Sequence, residues 1–131
     1  MTNDVPLLVV EDEALIAELV VAGLKEAGYT VTAVVNAEDA IALLEEDDAA
    51  FRAVISDVNL APDKLTGWDV ARRARELIAD FPVIYMSGAS GHEWTSCGVP
   101  NSLLIGKPFA IGQIITAVSQ LLNAGTANAP E

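Results

Sequence analysis

The chain has 131 residues, of which 52% are hydrophobic, and a formal net charge of −12. This length suits one domain with a single packed core, and the hydrophobic content excludes an intrinsically disordered chain. The negative charge argues against direct binding of nucleic acid, and no apolar run is long enough for a membrane span. A single cysteine, Cys97, excludes an internal disulfide and a cysteine-based zinc cluster. Because the N-terminus also lacks the pattern of a signal peptide, we expect a soluble cytoplasmic protein.

The first part of the chain predicts a strand, a helix and a second strand. Val5 to Val10 form a continuous apolar run, which is typical of a strand buried on both faces. Thr30 to Val35 are rich in β-branched residues and predict the second strand. Between them, Gly28 suits the left-handed position that follows a helix. The apolar residues of this helix recur at helical spacing and are expected to face inward: Leu15, Ile16, Leu19, Val20, Leu24 and Ala27.

A second helix and a third strand follow. Asn36 can cap the helix, and Asp39 stands three residues later, as in a capping box. The acidic residues 45–48 are interpreted as the solvated end of this helix. Residues 53–56 predict the third strand, and Asp57 stands at its end.

A third helix and a fourth strand continue the alternation. A loop that contains Pro62 and Gly67 leads into the helix, and residues 82–86 predict the strand. The inward stripe of the helix is expected to consist of Val70, Ala74, Leu77 and Ile78. Its outward positions are expected to carry Arg72, Arg73 and Arg75.

The last part of the chain predicts a weak helix, a strand and a strong helix. Residues 87–101 include several glycines and a proline, so any helix there should be short and mobile. Residues 102–105 predict a fifth strand, and residues 124–131 predict a flexible tail. The final helix has a clear apolar stripe, formed by Ile111, Ile114, Ile115, Val118, Leu121 and Leu122. Five strands that alternate with helices predict one α/β domain over residues 1–123, a doubly wound parallel sheet with helices on both faces.

Polar residues stand where the predicted strands end. Glu11 and Asp12 follow the first strand, Asp57 the third, Ser87 the fourth and Lys107 the fifth. Because the carboxyl ends of parallel strands share one edge of the sheet, these side chains should converge. Each alone has an ordinary explanation, as a helix cap, a turn residue or a surface lysine. Their joint placement favours a common site.

The chemistry of this set indicates phosphoryl transfer. Three close carboxylates repel one another unless a cation neutralises them, and hard oxygen ligands suit Mg²⁺. Phosphoryl transfer needs such charge neutralisation and alignment. Asp57 could then act as the nucleophile that forms an acyl phosphate. Lys107 and the hydroxyl of Ser87 could each bind a phosphoryl oxygen.

These residues resemble the receiver domain of bacterial two-component response regulators, in its single-domain, chemotaxis-regulator-like form. The resemblance rests on residues 7–13, 54–59, 83–88 and 106–109 taken together, and it extends over nearly the whole chain. It implies a flavodoxin-like sheet with strand order 2-1-3-4-5. It also implies that a sensor histidine kinase or a histidine phosphotransfer protein donates the phosphoryl group.

The resemblance further implies roles for individual residues. Mg²⁺ would be bound by the side chains of Asp12 and Asp57 and the backbone carbonyl of Asn59, with Glu11 acting through a metal-bound water. Ser87 and Lys107 would fill the hydroxyl and ammonium positions around the phosphoryl group. The peptide bond between Lys107 and Pro108 would be cis, as is common in the family.

Three features depart from the family pattern. Glu11 stands where aspartate is more common, and the loop from Asp57 to Gly67 is about two residues longer than usual. Leu104 occupies the position at which many members carry a switching tyrosine or phenylalanine. Leucine cannot offer the rotating ring that usually couples to the hydroxyl at the position of Ser87.

The sequence leaves several functions open. The first expectation is a phosphorylated regulator, not an enzyme with a separate substrate, which is a monomer or weak dimer and docks to an unknown downstream protein. Trp94 in the 87–101 segment could contact that protein or simply pack locally. The alternative is a receiver-like docking module that works without phosphorylation. An aspartyl phosphatase would need aspartate in place of Asn59, and a flavin-binding protein would need a phosphate-cradling loop in place of residues 11–13.

Overall fold

The computed structural model describes residues 5–60, 65–88 and 91–127. Its regular elements follow the predicted alternation of strands and helices. In chain order they are β1 Pro6–Val10, α1 Ala14–Glu26, β2 Thr30–Val34, α2 Ala37–Leu44, β3 Ala53–Asp57, α3 Gly67–Leu77, β4 Val83–Ser87, a 3₁₀ turn Gly91–Glu93, α4 Trp94–Cys97, β5 Leu103–Gly106 and α5 Ile111–Ala127. None of the helices over the described ranges is both long and apolar enough to cross a membrane.

The strands form one parallel sheet in the order β2-β1-β3-β4-β5. This order confirms the predicted fold and places β1 beside both β2 and β3. Leu8 of β1, for example, pairs with Thr32 on one side and Val54 on the other. Strand β2 lies at the edge and is largely exposed, whereas β3 and β4 are buried along their whole length. The continuous apolar runs in the sequence are explained by this burial on both faces.

Two hydrophobic cores lie on opposite faces of the sheet, because successive strand residues point to opposite sides. One core packs α2 and α3 against the sheet through residues that include Leu8, Val10, Val54, Tyr85, Val70 and Ala71. The other core packs α1 and α5 against residues that include Leu7, Val9, Ile55, Ile84, Val20, Leu24 and Ile114. The domain is therefore a three-layer sandwich whose sheet supplies apolar side chains to both layers.

Two of the predicted inward stripes are only partly buried. On α1, Leu15 and Leu19 are 81% and 46% exposed, although both were expected to face the core. Hydrophobic spacing marked two adjacent rows of this helix, and only the row that includes Val20 and Leu24 contacts the second core. On α3, Leu77 and Ile78 are also exposed, so their expected inward placement was wrong. Ile78 has already left the helical conformation, with φ −138° and ψ 115°.

The ends of the helices agree with most of the predicted signals. Gly28 has φ +105° after α1, and the side chain of Asn36 accepts a 2.7 Å hydrogen bond from the backbone N–H of Asp39. Helix α3 begins earlier than predicted, at Gly67, with Thr66 as its cap residue. Helix α5 continues to Ala127, beyond its predicted end. The remainder of the predicted tail, residues 128–131, lies outside the described residues, as do Pro62 and the loop positions 61–64.

Candidate functional site

Two neighbouring strands bring three carboxylates together at the carboxyl edge of the sheet. Strand β1 ends at Val10, which pairs with Ser56, so that Glu11 and Asp12 emerge beside Asp57 at the end of β3. One carboxylate oxygen from each of these three acids lies within 4.8 Å of the other two. Glu11 is fully buried and Asp57 is 5% exposed, whereas Asp12 is half-buried. The predicted convergence of these residues is confirmed in space.

Lys107 reaches into the same cluster from the loop after β5. Its Nζ lies 2.9 Å from Glu11 Oε1 and 3.3 Å from Asp57 Oδ2. Glu13 Oε1 lies 3.5 Å from the same nitrogen, although the Glu13 side chain is mostly exposed. The peptide bond from Lys107 to Pro108 is cis, as the resemblance implied. One ammonium group therefore balances part of the charge of a mainly buried acidic cluster.

Backbone groups hold the two buried carboxylates in place. Asp57 Oδ1 accepts a 3.3 Å hydrogen bond from the backbone N–H of Asn59, and Glu11 Oε2 accepts a 3.0 Å bond from that of Glu13. The hydroxyl of Ser56 donates to the backbone carbonyl of Asp57 at 3.0 Å. Each buried acid thus has one oxygen fixed by the backbone and the other facing Lys107.

Burial controls the protonation of these groups. Desolvation raises the pKa of Glu11 to about 7, against an ordinary value of 4.5, despite the hydrogen bonds from Glu13 and Lys107. Desolvation also raises the pKa of Asp57, although Lys107 opposes that shift. For Lys107, burial favours the neutral amine, but the hydrogen bond to Glu11 and the charge of Asp57 outweigh it and raise its pKa. These contacts therefore favour the charged form of the Lys107 amine, which compensates only part of the carboxylate charge.

Ser87 and Asn59 lie at the same edge of the sheet. Ser87 ends β4 and is buried, one residue after Met86, which pairs with Asp57. Its backbone carbonyl accepts a 2.8 Å hydrogen bond from the N–H of Lys107. Asn59 is exposed, and its backbone follows Asp57 into the loop. Ser87 therefore ends its strand beside Asp57, and Asn59 follows Asp57 at the same edge of the sheet.

Two residues near the site were not singled out from the sequence. Glu13 contacts both Glu11 and Lys107. The sequence feature that could have identified it is its place as the third acidic residue of the run that follows β1. Gly67 starts α3, and a Cβ atom there would overlap the backbone of Asp57 and Val58. Its backbone N–H donates to the carbonyl of Val58 at 2.9 Å. A glycine ten residues after an acidic strand end gives no distinctive signal, because many loops contain glycine.

The arrangement fits a small hard cation beside a nucleophilic carboxylate. Three oxygen donors within a few ångströms of one another, one of them half-exposed, form a donor set that Mg²⁺ prefers. A cation there would also relieve the repulsion that burial imposes on the carboxylates. Asp57 belongs to this donor set and also lies 3.3 Å from the ammonium of Lys107. The side chains can therefore stabilise negative charge that is added at Asp57.

Comparisons with known proteins agree with this geometry. Residues 7–119 match the family model described as the response regulator receiver domain. The crystal structure of a response regulator receiver protein from Sinorhizobium medicae superposes with a TM-score of 0.89 at 43% identity, covering 93% of this chain and 97% of that one. The response regulator receiver protein CpdR of Brucella abortus is 26% identical over 90% of this chain and 97% of its own length. The sensor kinase CckA of Brucella abortus is 27% identical over 93% of this chain, which spans only 13% of that kinase.

Proposed function

This chain belongs to the response regulator receiver domain family, and on that premise we propose that Asp57 accepts a phosphoryl group from a histidine kinase or a histidine phosphotransfer protein. The observation that carries the proposal is the contact of Lys107 with both Glu11 and Asp57 inside a cluster of three carboxylates. Structural carboxylates are usually neutralised one to one by neighbouring bases. Here one ammonium faces several acids, so negative charge is left over that a divalent cation can neutralise when a phosphoryl group binds.

Each side chain of the site has its own role in the proposed transfer. A carboxylate oxygen of Asp57 attacks the phosphorus atom, the bond from phosphorus to the donor nitrogen breaks, and an acyl phosphate forms on Asp57. Asp12, Asp57 and the backbone carbonyl of Asn59 would hold Mg²⁺, with Glu11 beside it. The ion would neutralise charge on the phosphoryl oxygens. Lys107 would leave its present pairing with Asp57 to bind one phosphoryl oxygen, and the hydroxyl of Ser87 would donate to another.

The first turns of α1 support docking of the phosphoryl donor beside the site. Leu15 and Leu19 are exposed on this helix, which begins directly after the acidic residues 11–13. A donor that reaches Asp57 would lie near this helix, and its exposed leucines would gain free energy from being covered. We propose that the domain is a cytoplasmic monomer or weak dimer that signals by docking to another protein. It turns over no separate substrate, and its charge disfavours nucleic acid.

The proposal is tested by incubating the protein with acetyl phosphate or a phosphorylated kinase, with and without Mg²⁺. Wild-type protein should gain one acid-labile phosphoryl group per chain only when Mg²⁺ is present. Asp57→Asn should abolish labelling. The matched control is Asp80→Asn, an exposed residue at which φ is +63° and asparagine is equally well tolerated.

Full labelling of the Asp57→Asn protein would overturn the choice of acceptor. Absence of labelling in the wild type with every donor would instead favour the phosphorylation-independent docking module. Leu104 is the observation that supports that second function, because it is half-buried against the α2 and α3 core and offers no aromatic ring.

A further inference from the structure

A groove of about 300 Å³ lies between the ends of α2 and α3. Its apolar lining includes Leu44, Phe51 and Phe81, and its outer wall is formed by Leu77 and Ile78. We call this surface, with its acidic residues 45–47, the α2–α3 groove. Helix α2 ends before β3 and α3 ends before β4, so the groove lies at the amino edge of the sheet, opposite Asp57. It takes no part in the chemistry proposed above.

The outer wall of the groove is incompletely covered. Leu77 is 40% exposed and Ile78 is 54% exposed, and they are adjacent in the chain. Each belongs to a residue type that gains free energy when its apolar surface is removed from water. Next to them, the buried side chains of Leu44 and Phe81 form the apolar floor of the groove. The groove can therefore receive a large apolar side chain without rearrangement of the core.

The rim of the groove carries negative charge that the fold does not compensate. Glu45 pairs with Arg73 at 2.7 Å, but over the described ranges neither Glu46 nor Asp47 has an ion pair. These acids follow the carboxyl end of α2, where the helix dipole is already negative and acidic side chains are unfavourable. Helix α3 also ends at this groove, but Arg75 in its last turn donates a hydrogen bond to the carbonyl of Phe81, so the uncompensated charge is that of Glu46 and Asp47. A cationic partner would relieve this repulsion.

We propose that the α2–α3 groove binds a cationic amphipathic segment of a partner protein, one or two large apolar side chains entering the groove while flanking lysine or arginine residues pair with Glu46 and Asp47. The charge of the chain argues against other occupants. A second copy carries the same net charge of −12 and would bring more acid to the rim. Nucleic acid and anionic lipid are repelled for the same reason.

A synthetic peptide tests the proposal with the full chain. The probe is about four helical turns long, with leucines spaced by four residues and lysines between them. We expect amide chemical-shift changes confined to residues around 44–51 and 74–81, and an affinity that falls as salt is raised. A peptide with serine in place of the leucines and the same charge should bind at least about tenfold more weakly, because apolar anchors dominate such contacts.

Paired variants separate the groove from general acidity. Changing Leu77→Ser together with Ile78→Ser should weaken binding of the leucine peptide about tenfold or more, since these two side chains form the exposed outer wall of the groove. Glu46→Gln with Asp47→Asn should weaken it and reduce its salt dependence. Leu15→Ser and Glu18→Gln, exposed on α1, are the matched controls and should leave binding unchanged.

Chemical shifts spread over the acidic surface, or equal losses from the α1 controls, would overturn the proposal, as would binding that is indifferent to Leu77→Ser and Ile78→Ser. Because the groove lies at the opposite edge of the sheet, Asp57 labelling should be the same as in the wild type in the Leu77/Ile78 and Glu46/Asp47 groove variants. Failure of the groove proposal is thereby distinguished from failure of the proposed phosphorylation.

Discussion

At the scale of single residues, Glu11 has a structural role in the site as well as an electrostatic one. Its carboxylate is fully buried, accepts a hydrogen bond from the N–H of Glu13 and contacts Lys107 at 2.9 Å. The resemblance implied a role through a metal-bound water, which remains a prediction. The direct pairing with Lys107 was not anticipated from the sequence. Glu11 therefore positions the lysine as well as contributing charge to the cluster.

At Gly67, adding a single methyl group should destabilise the fold and disturb the site. A Cβ atom at this position would overlap the backbone of Asp57 and Val58, which cannot move without displacing the acceptor carboxylate. We expect Gly67→Ala to lower the free energy of unfolding by roughly 1–3 kcal/mol, as overpacking does elsewhere, and to slow labelling of Asp57. Urea denaturation and acetyl phosphate labelling measure the two effects.

The matched control for this change is Gly112→Ala in α5. Apart from its chain neighbours and the backbone of its own helix, no atom of the described residues lies within 4 Å of the Cβ that would be added there, so alanine should be neutral or stabilise the helix by up to about 1 kcal/mol. Equal denaturation midpoints for the Gly67→Ala protein and the wild type would contradict the proposed close approach.

At the scale of elements, the sequence predicted which segments are strands and helices but not which helical rows are buried. Strand ends could be predicted because a continuous apolar run stops at a polar residue, as at Val10 and Glu11. Because all five strands are parallel, the polar residues that follow them lie at one edge of the sheet. The exposed row of Leu15 and Leu19 could not be recognised, because hydrophobic spacing is the same whether a residue meets the core or a partner.

The short α4 element is held by a chain of hydrogen bonds. The indole N–H of Trp94 donates to the hydroxyl of Ser102 at 2.9 Å, and that hydroxyl donates to the carbonyl of Val99 at 2.6 Å. The N–H of Val99 in turn donates to the hydroxyl of the buried Tyr85 at 3.1 Å. Trp94 is half-buried and packs against the α2 and α3 core, which supports the local packing explanation over a partner contact. The predicted short helix is confirmed, and its mobility remains a prediction.

Ser102 should therefore control the stability of this segment. Ser102→Ala leaves the indole N–H of Trp94 without its acceptor, so we expect a loss of about 1–2 kcal/mol in the free energy of unfolding and faster amide exchange over residues 94–101. Hydrogen exchange measured by mass spectrometry resolves the segment. Ser96→Ala is the control, since the Ser96 hydroxyl is exposed and, among the described residues, its hydrogen-bond partners are the nearby Glu93 and Cys97. If both variants exchanged equally fast, the hydrogen-bond chain would have no stabilising role.

At the scale of the whole molecule, the two edges of the sheet carry different chemistry. The carboxyl edge holds the buried acids and Lys107, and the amino edge holds the apolar α2–α3 groove with its acidic rim. The first arrangement could be predicted because the residues end strands whose order follows from the alternation of elements. The groove could not, because residues 45–48 resemble any solvated helix end until the neighbouring Leu77 and Ile78 are seen to be exposed.

The stability of the whole domain should depend on pH and Mg²⁺ together. In the metal-free protein the folded state keeps a proton on Glu11 up to about pH 7, whereas the unfolded chain releases it near the ordinary pKa of 4.5. The folded state therefore binds more protons in this interval, and the free energy of unfolding falls as the pH rises through it. Burial raises the pKa of Asp57 and acts in the same direction. Mg²⁺ requires ionised carboxylates, so its stabilising effect should grow as the pH rises to about 7 and then level off.

Thermal unfolding between about pH 5.5 and pH 8, in EDTA and in MgCl₂, measures this linkage. At a fixed concentration about ten times the dissociation constant found at pH 8, Mg²⁺ should add roughly 1.4 kcal/mol above pH 7 and clearly less near pH 5.5. Glu11→Gln removes the carboxyl that holds the proton, so it should raise the Tm of the metal-free protein at pH 8 and flatten its dependence on pH. Glu18→Gln, exposed on α1, should behave as wild type. A gain in Tm from Mg²⁺ that is constant or decreasing with pH would mean that the buried carboxylates do not bind the ion.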